Sequence, residues 1–116
     1  MKKISIVVFF IFLSITAYSQ KTDTIQIATS AQCEMCKERI EKAMAYERGV
    51  KSFELDLSDK FLTVVYKLKR TNPDKIRKAV SDVGYDADDV KADEKAYSKL
   101  PGCCKKPDDP DYSPMH

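Results

Sequence analysis

Four cysteines are the residues of this 116-residue chain best suited to chemistry, and they occur as two pairs. Cys33 and Cys36 are separated by two residues, whereas Cys103 and Cys104 are adjacent. Thiolates bind soft and borderline ions such as Cu(I), Hg(II) and Zn(II). They also form disulfides and exchange with them. The sequence therefore points first to metal binding or redox chemistry.

The N-terminal residues have the pattern of a secretory signal peptide. Lys2 and Lys3 precede the apolar residues 4–15, and a small-residue pattern ends at Ser19. The apolar run of 12 residues is shorter than the ~20 that a membrane-spanning helix needs. We predict that residues 1–19 are removed after export, and that the mature protein lacks a membrane span and is periplasmic or secreted.

Charge and cysteine count restrict the binding partners and the roles that the cysteines can have. The chain has 20 Lys and Arg against 18 Asp and Glu, and loss of two lysines with the signal peptide leaves 18 against 18. Such a balance gives no basic surface for nucleic acid or an anionic membrane. An even number of cysteines in an exported protein also favours disulfides, so metal binding must be argued from position.

Hydrophobic periodicity and capping residues predict six elements after the signal peptide. Asn72 is a helix N-cap followed by Pro73, and Gly84 ends the same helix. The predicted elements are a strand at 24–29, a helix at 37–46, strands at 50–57 and 62–68, a helix between Asn72 and Gly84, and a short strand at 86–91.

This order predicts an α+β fold, a ferredoxin-like βαββαβ sandwich over residues 22–91. Its four-stranded antiparallel sheet should have the order 4-1-3-2, with both helices on one face. Residues 92–116 form a C-terminal extension that carries the Cys-Cys pair. We expect a short helix at 92–100 and a partly flexible tail from Pro101.

The first pair lies where the first strand meets the first helix. A helix N-terminus carries partial positive charge and free N–H groups, which favour thiolate over thiol. A lone pair at this spacing is a weak motif, but its position at this junction makes Cys33 and Cys36 candidate metal ligands.

Residues 22–91 resemble the heavy-metal-associated domain family, which includes copper chaperones and periplasmic mercury-binding proteins. The resemblance is carried by Cys33-Glu34-Met35-Cys36 with Ile40, by Gly49-Val50 and by Gly84-Tyr85-Asp86-Ala87. It implies that Cys33 and Cys36 hold one ion near the surface and that Tyr85 lies beside them. Where the family often has Gly-Met before the pair, this chain has Ser30-Ala31, which puts the rigidity of the loop in question.

The implied function is that of a chaperone or scavenger that passes its ion by ligand exchange. Cu(I) is favoured because two thiolates suffice for it, with Hg(II) second, whereas Zn(II) prefers four ligands. The implied partner is a metal donor or acceptor such as a transporter, and we expect a monomer that catalyses no reaction.

Several alternatives remain open at this stage. Cys103 and Cys104 could fold back as third or fourth ligands, or form a separate weak site or disulfides. Met35, Met115 and His116 have donor atoms, but such residues are more often solvated. The protein could instead be a thiol–disulfide oxidoreductase that uses the first pair, or a structural cysteine–metal domain.

Overall fold

The structure, a computed structural model, describes residues 21–114. The predicted signal peptide and the two terminal residues Met115 and His116 lie outside the described residues. The elements are β1 Thr22–Ala28, α1 Glu34–Tyr46, β2 Val50–Asp56, β3 Phe61–Lys67, α2 Pro73–Asp82, α3 Glu94–Ser98 and a short 3-10 turn Gly102–Cys104. Their order over residues 22–82 agrees with the prediction, and α1 begins three residues earlier than expected.

An antiparallel sheet forms one layer of the domain. β3 lies at its centre between β1 and β2, so the strand order is β1-β3-β2. Along β3 the side chains of Leu62, Val64 and Tyr66 are buried, as the predicted alternation requires. This inward face is the surface on which the helices pack.

Both long helices cover the inward face. α1 buries Cys36, Ile40 and Met44, and α2 buries Ile76 and Val80. These side chains form one hydrophobic cluster with the inward residues of the sheet. The Asn72 side chain accepts a hydrogen bond from the Lys75 N–H at 2.9 Å, which confirms the predicted N-cap of α2. The α+β architecture with an antiparallel sheet is therefore confirmed.

The predicted fourth strand at 86–91 is wrong, because the sheet of the described residues has three strands. Ala87 forms a single bridge to Thr29, and the chain then reverses through mutual hydrogen bonds between Ala87 and Val90. Asp88 has a φ of 53°, outside the extended region. Its N–H donates to the Ala28 carbonyl at 2.8 Å, and its carboxylate accepts from the Ala28 N–H at 2.9 Å. The Asp88 side chain thus accepts a backbone hydrogen bond at the edge of β1, where pairing with a fourth strand was expected.

Residues 92–114, hereafter the C-terminal segment, pack against the domain. Leu100 and Cys104 are buried in the same hydrophobic cluster as the helices and sheet. A short helix occurs within 92–100, as expected, but the chain after Pro101 folds onto the domain, where the sequence had suggested a tail with partial flexibility.

None of the helices within residues 21–114 has the length and apolar character that crossing a lipid bilayer requires.

Candidate metal centre

The loop between β1 and α1 is fixed on both sides by hydrogen bonds. The Thr29 hydroxyl donates to the Lys60 carbonyl at 2.8 Å, and the Ser30 hydroxyl accepts from the Asp86 N–H at 2.9 Å. Ala31 is completely buried. The position at which the family often has Met therefore still packs inward, with a smaller side chain, and the loop is anchored through its Ser and Thr side chains.

The first cysteine pair begins α1. Cys33 is the N-cap residue with extended backbone angles, and its carbonyl accepts the first helical hydrogen bond from the Lys37 N–H at 3.1 Å. Cys36 lies in the first turn and is fully buried, whereas Cys33 is half-buried. Their sulfur atoms are 3.5 Å apart. The strand-to-helix junction thus brings the two thiols together, as the sequence predicted.

The second pair lies at the same place. The Cys33 Sγ is 3.3 Å from the Cys103 Sγ and 3.7 Å from the Cys104 Sγ. The sulfur atoms of these three residues all lie within 4.8 Å of one another. Together with Cys36 they form what we call the four-thiol cluster. All four cysteines are among the described residues, and none forms a disulfide.

The surroundings of Cys33 lower the pKa of its thiol. Partial burial acts to raise its pKa, but the nearby backbone N–H of Cys36 and the neighbouring thiols outweigh burial and hold the pKa of Cys33 below its ordinary value. A thiolate is both a nucleophile and a metal ligand. The half-buried residue of the cluster is therefore also the one whose surroundings favour the ligating form.

The pKa values of the Cys103 and Cys104 thiols are shifted in the opposite direction, upward. The hydrogen bond with Cys33, followed by burial, raises the pKa of Cys103. Burial, followed by the proximity of Cys36, raises the pKa of Cys104. The pKa of Cys33 is thus lowered while those of Cys103 and Cys104 are raised, as expected when several thiols share a small volume and ionisation of one disfavours ionisation of the others.

Tyr85 lies beside the cluster and is fully buried. Burial and then the nearby thiols of Cys104 and Cys36 raise the pKa of its phenol, so the hydroxyl keeps its proton. Among the described residues, that hydroxyl has no partner in hydrogen-bond geometry. The structure therefore places Tyr85 where the resemblance implied, with a buried donor next to two sulfur atoms.

Polar contacts hold the C-terminal segment over the site. The Tyr97 hydroxyl donates to the Asp109 carboxylate at 2.8 Å and accepts from the Lys106 N–H at 2.9 Å. The Lys106 ammonium pairs with the Asp86 carboxylate at 2.7 Å. Asp86 follows Tyr85 directly, so this ion pair joins Lys106, two residues after the second cysteine pair, to the loop beside the first pair.

Two glycines allow the close approaches that this arrangement needs. Gly84 has a φ of 103°, and a Cβ there would lie 3.1 Å from the backbone of Ala96 and Tyr97. At Gly102 a Cβ would lie 2.7 Å from the Ser113 Cβ. Both positions therefore need glycine, the first also for its backbone conformation. α3 therefore packs against the turn at Gly84, and Ser113 packs against the turn at Gly102 that precedes Cys103.

Sequence reasoning missed Tyr97 and Leu100. The signal was present, because these two large side chains are three residues apart in the expected short helix and so share a face. The thioether of Met35 lies 3.8 Å from the Cys103 Sγ, at the edge of the cluster. Met115 and His116 lie outside the described residues.

The fold and the site together define a small α+β domain with a Cys-x-x-Cys pair at its first strand-to-helix junction. Residues 30–86 match the heavy-metal-associated domain family. The copper chaperone CopZ of Staphylococcus haemolyticus (strain JCSC1435) is 35% identical over 54 residues, which are 47% of this chain and 79% of that protein. The protein therefore belongs to the heavy-metal-associated domain family.

Solved structures agree with this assignment at the level of the fold. A CopZ metallochaperone superposes with a TM-score of 0.54 at 24% identity, over 56% of this chain and 98% of its own. The mercury-bound form of MerP, the periplasmic protein of the bacterial mercury detoxification system, gives a TM-score of 0.52 at 23% identity, over 59% and 96%. Cys103 and Cys104 lie beyond residues 30–86, so the family match does not include the second pair.

Proposed function

We propose that this protein is an exported soft-metal-binding protein, a chaperone or scavenger that holds one ion through the thiolates of Cys33 and Cys36. The observation that carries the proposal is the 3.5 Å separation of these two sulfur atoms at the start of α1, in a domain of the heavy-metal-associated family. Thiolates select soft ions, and the site offers two of them on one rigid turn.

Cu(I) is the favoured cargo. Two thiolates satisfy it, and an additional thiolate can join before one of the first two leaves. The copper chaperone similar to this chain supports the choice, and the mercury-bound MerP structure makes Hg(II) the second candidate. Zn(II) requires four ligands and therefore cannot be satisfied by this pair alone.

Transfer begins at Cys33 in this proposal. Cys33 is half-buried whereas Cys36 has no exposed surface, so a thiolate from another protein can reach the ion only from the side of Cys33. The expected partner is a metal donor or acceptor with thiolate ligands, such as a transporter. The protein itself then needs no catalytic group, and it acts by binding and release.

Native mass spectrometry of the reduced protein with Cu(I), Hg(II) and Zn(II) tests this function. We expect one Cu(I) or Hg(II) ion per chain, and weaker retention of that ion in Cys33→Ser. Cys33 is the variant of choice because it is half-buried, so its substitution should disturb the core less than substitution of the fully buried Cys36. Met35→Leu, which removes the neighbouring thioether, is the control and should bind normally.

Two results would contradict the proposal. One is a wild-type protein that fails to retain a soft ion, and the other is full retention in Cys33→Ser/Cys36→Ser. A disulfide reductase assay on the same samples examines the rival oxidoreductase function. Activity that depends on Cys33 would favour that rival.

Export is proposed from the sequence of residues 1–19, with cleavage after Ser19. N-terminal sequencing of the protein recovered from outside the cytoplasm should begin at Gln20. Recovery of the chain in the cytoplasm with its N-terminus intact would refute export without affecting the metal site.

A further inference from the structure

The second cysteine pair has no role in the function proposed above, yet it lies at the same site. Cys33 and Cys103 are 70 positions apart in the chain, and their sulfur atoms are 3.3 Å apart. Buried cysteines often act as small apolar side chains. Packing alone, however, does not require three further sulfur atoms around the half-buried Cys33.

The distances fit common ligation. Four sulfur atoms that each lie about 2.3 Å from one ion in tetrahedral geometry are about 3.8 Å apart. The separations from Cys33 are 3.3 Å to Cys103, 3.5 Å to Cys36 and 3.7 Å to Cys104. The Cys33, Cys103 and Cys104 sulfur atoms also lie within 4.8 Å of one another. These three thiols, with Cys36 next to Cys33, are therefore close enough to share one ion after their side chains adjust.

A second observation concerns Tyr85. Its buried hydroxyl has no hydrogen-bond partner among the described residues, although it lies beside Cys36 and Cys104. A buried donor without an acceptor is costly. Because metal-bound thiolates accept hydrogen bonds better than neutral thiols, ligation by these two cysteines would give the hydroxyl its acceptor.

The C-terminal segment is also built to stay in place. Tyr97 contacts both Asp109 and the Lys106 backbone, and Lys106 pairs with Asp86. Gly102 permits contact with the chain at Ser113. The contacts of Tyr97 and Gly102 hold the segment in shape, and the Lys106–Asp86 pair with the burial of Leu100 and Cys104 in the core fixes the second pair relative to the first.

We propose that Cys103 and Cys104 are additional ligands, so that an ion bound by Cys33 and Cys36 has more than two sulfur ligands. The inference rests on the proposed function and adds to it a means of controlling release of the ion. With the segment docked, three of the four thiols are buried, and the ion is held. Transfer to a partner then requires the tail thiolates to leave, so the segment and the partner compete for the same ion.

The test is X-ray absorption spectroscopy of the reduced full chain loaded with Cu(I), which counts sulfur neighbours. We expect three or four in the wild type and two in Cys103→Ser/Cys104→Ser. Met35→Leu is the matched control, since it removes a sulfur atom near Cys103 without removing a thiol, and its count should equal that of the wild type.

A chelator competition on the same samples gives the functional result. Loss of the tail thiolates should weaken Cu(I) retention roughly tenfold or more, the factor that corresponds to about 1.4 kcal/mol. A wild type with two sulfur neighbours and unchanged retention in the double variant would overturn the inference and leave the proposed function intact. A wild type that retains neither Cu(I) nor Hg(II) would overturn both.

Discussion

The two cysteine pairs occupy one site but are placed there by different kinds of structure. Cys33 and Cys36 are positioned by a local feature, the first turn of α1, whose geometry follows from a few neighbouring residues. Cys103 and Cys104 are positioned by the C-terminal segment, which is held in shape by Tyr97 with Asp109 and is joined to the domain by Lys106 with Asp86. The first pair should therefore persist for as long as the domain is folded, whereas we expect that the second can be released without unfolding of the domain.

The largest expected effect comes from the core beneath the first pair. Ile40 is fully buried one turn after Cys36, so Ile40→Ala should lower the free energy of unfolding by about 2–5 kcal/mol. Urea denaturation measures this loss.

Leu100→Ala removes a similar side chain from the C-terminal segment, and its main effect should be faster hydrogen exchange in residues 100–106. Equal loss of protection in β3 would show that the segment and the domain unfold as one unit.

A smaller and more local effect is expected at Gly102. In Gly102→Ala the new methyl group would meet the Ser113 Cβ, and such overpacking costs about 1–3 kcal/mol. Hydrogen exchange should increase at the Cys104 and Lys105 N–H groups, which donate to the carbonyls of Pro101 and Gly102. β3 should keep its protection.

The matched control for this change is the double variant Gly102→Ala/Ser113→Gly, which removes the clashing Cβ. It should recover much of the lost protection, with Ser113→Gly alone close to wild type. If the single and double variants behave alike, the close approach of the two chain segments is not what holds the second pair.

The smallest effect concerns the loop that replaces the fourth strand. Partial burial acts to raise the pKa of Asp88, but the Arg77 guanidinium at 2.8 Å and the Ala28 N–H hold it below the ordinary value. Because the folded-state pKa is lowered, the ion pair stabilises the protein above the unfolded pKa of about 3.9, and this contribution is lost as pH falls below it.

Asp88→Asn should therefore cost about 0.5 kcal/mol at neutral pH, a small value because the pair is partly exposed and screened. Asn also tolerates the positive φ at this position, so the change tests charge and not backbone strain. The difference between variant and wild type should shrink as the pH falls below about 3.9 and vanish below the lower folded-state pKa, where Asp88 in the folded protein becomes protonated. Asp89→Asn removes a charge from the next residue, and a cost equal to that of Asp88→Asn would argue against the specific ion pair.

The two pairs also differ in how well their positions could be predicted from the sequence. The alternation along β3, the N-cap at Asn72 and the turn before Cys36 are local patterns, and each gave the correct element. The fourth strand was wrong because the Asp88 side chain, which no periodicity describes, satisfies Ala28 in place of a ladder. The return of residues 101–114 was left open, since it depends on contacts such as Lys106 with Asp86 that are distant in sequence.

The separation of 70 positions between Cys33 and Cys103 also imposes an order in time. A chain made or threaded through a membrane from its N-terminus presents Cys33 and Cys36 well before Cys103 and Cys104 emerge. During that interval the first pair is without its cover, and it can bind an ion or be oxidised as a simple dithiol. The complete four-thiol cluster can form only after Cys103 and Cys104 have emerged, so this site is completed late in synthesis or export.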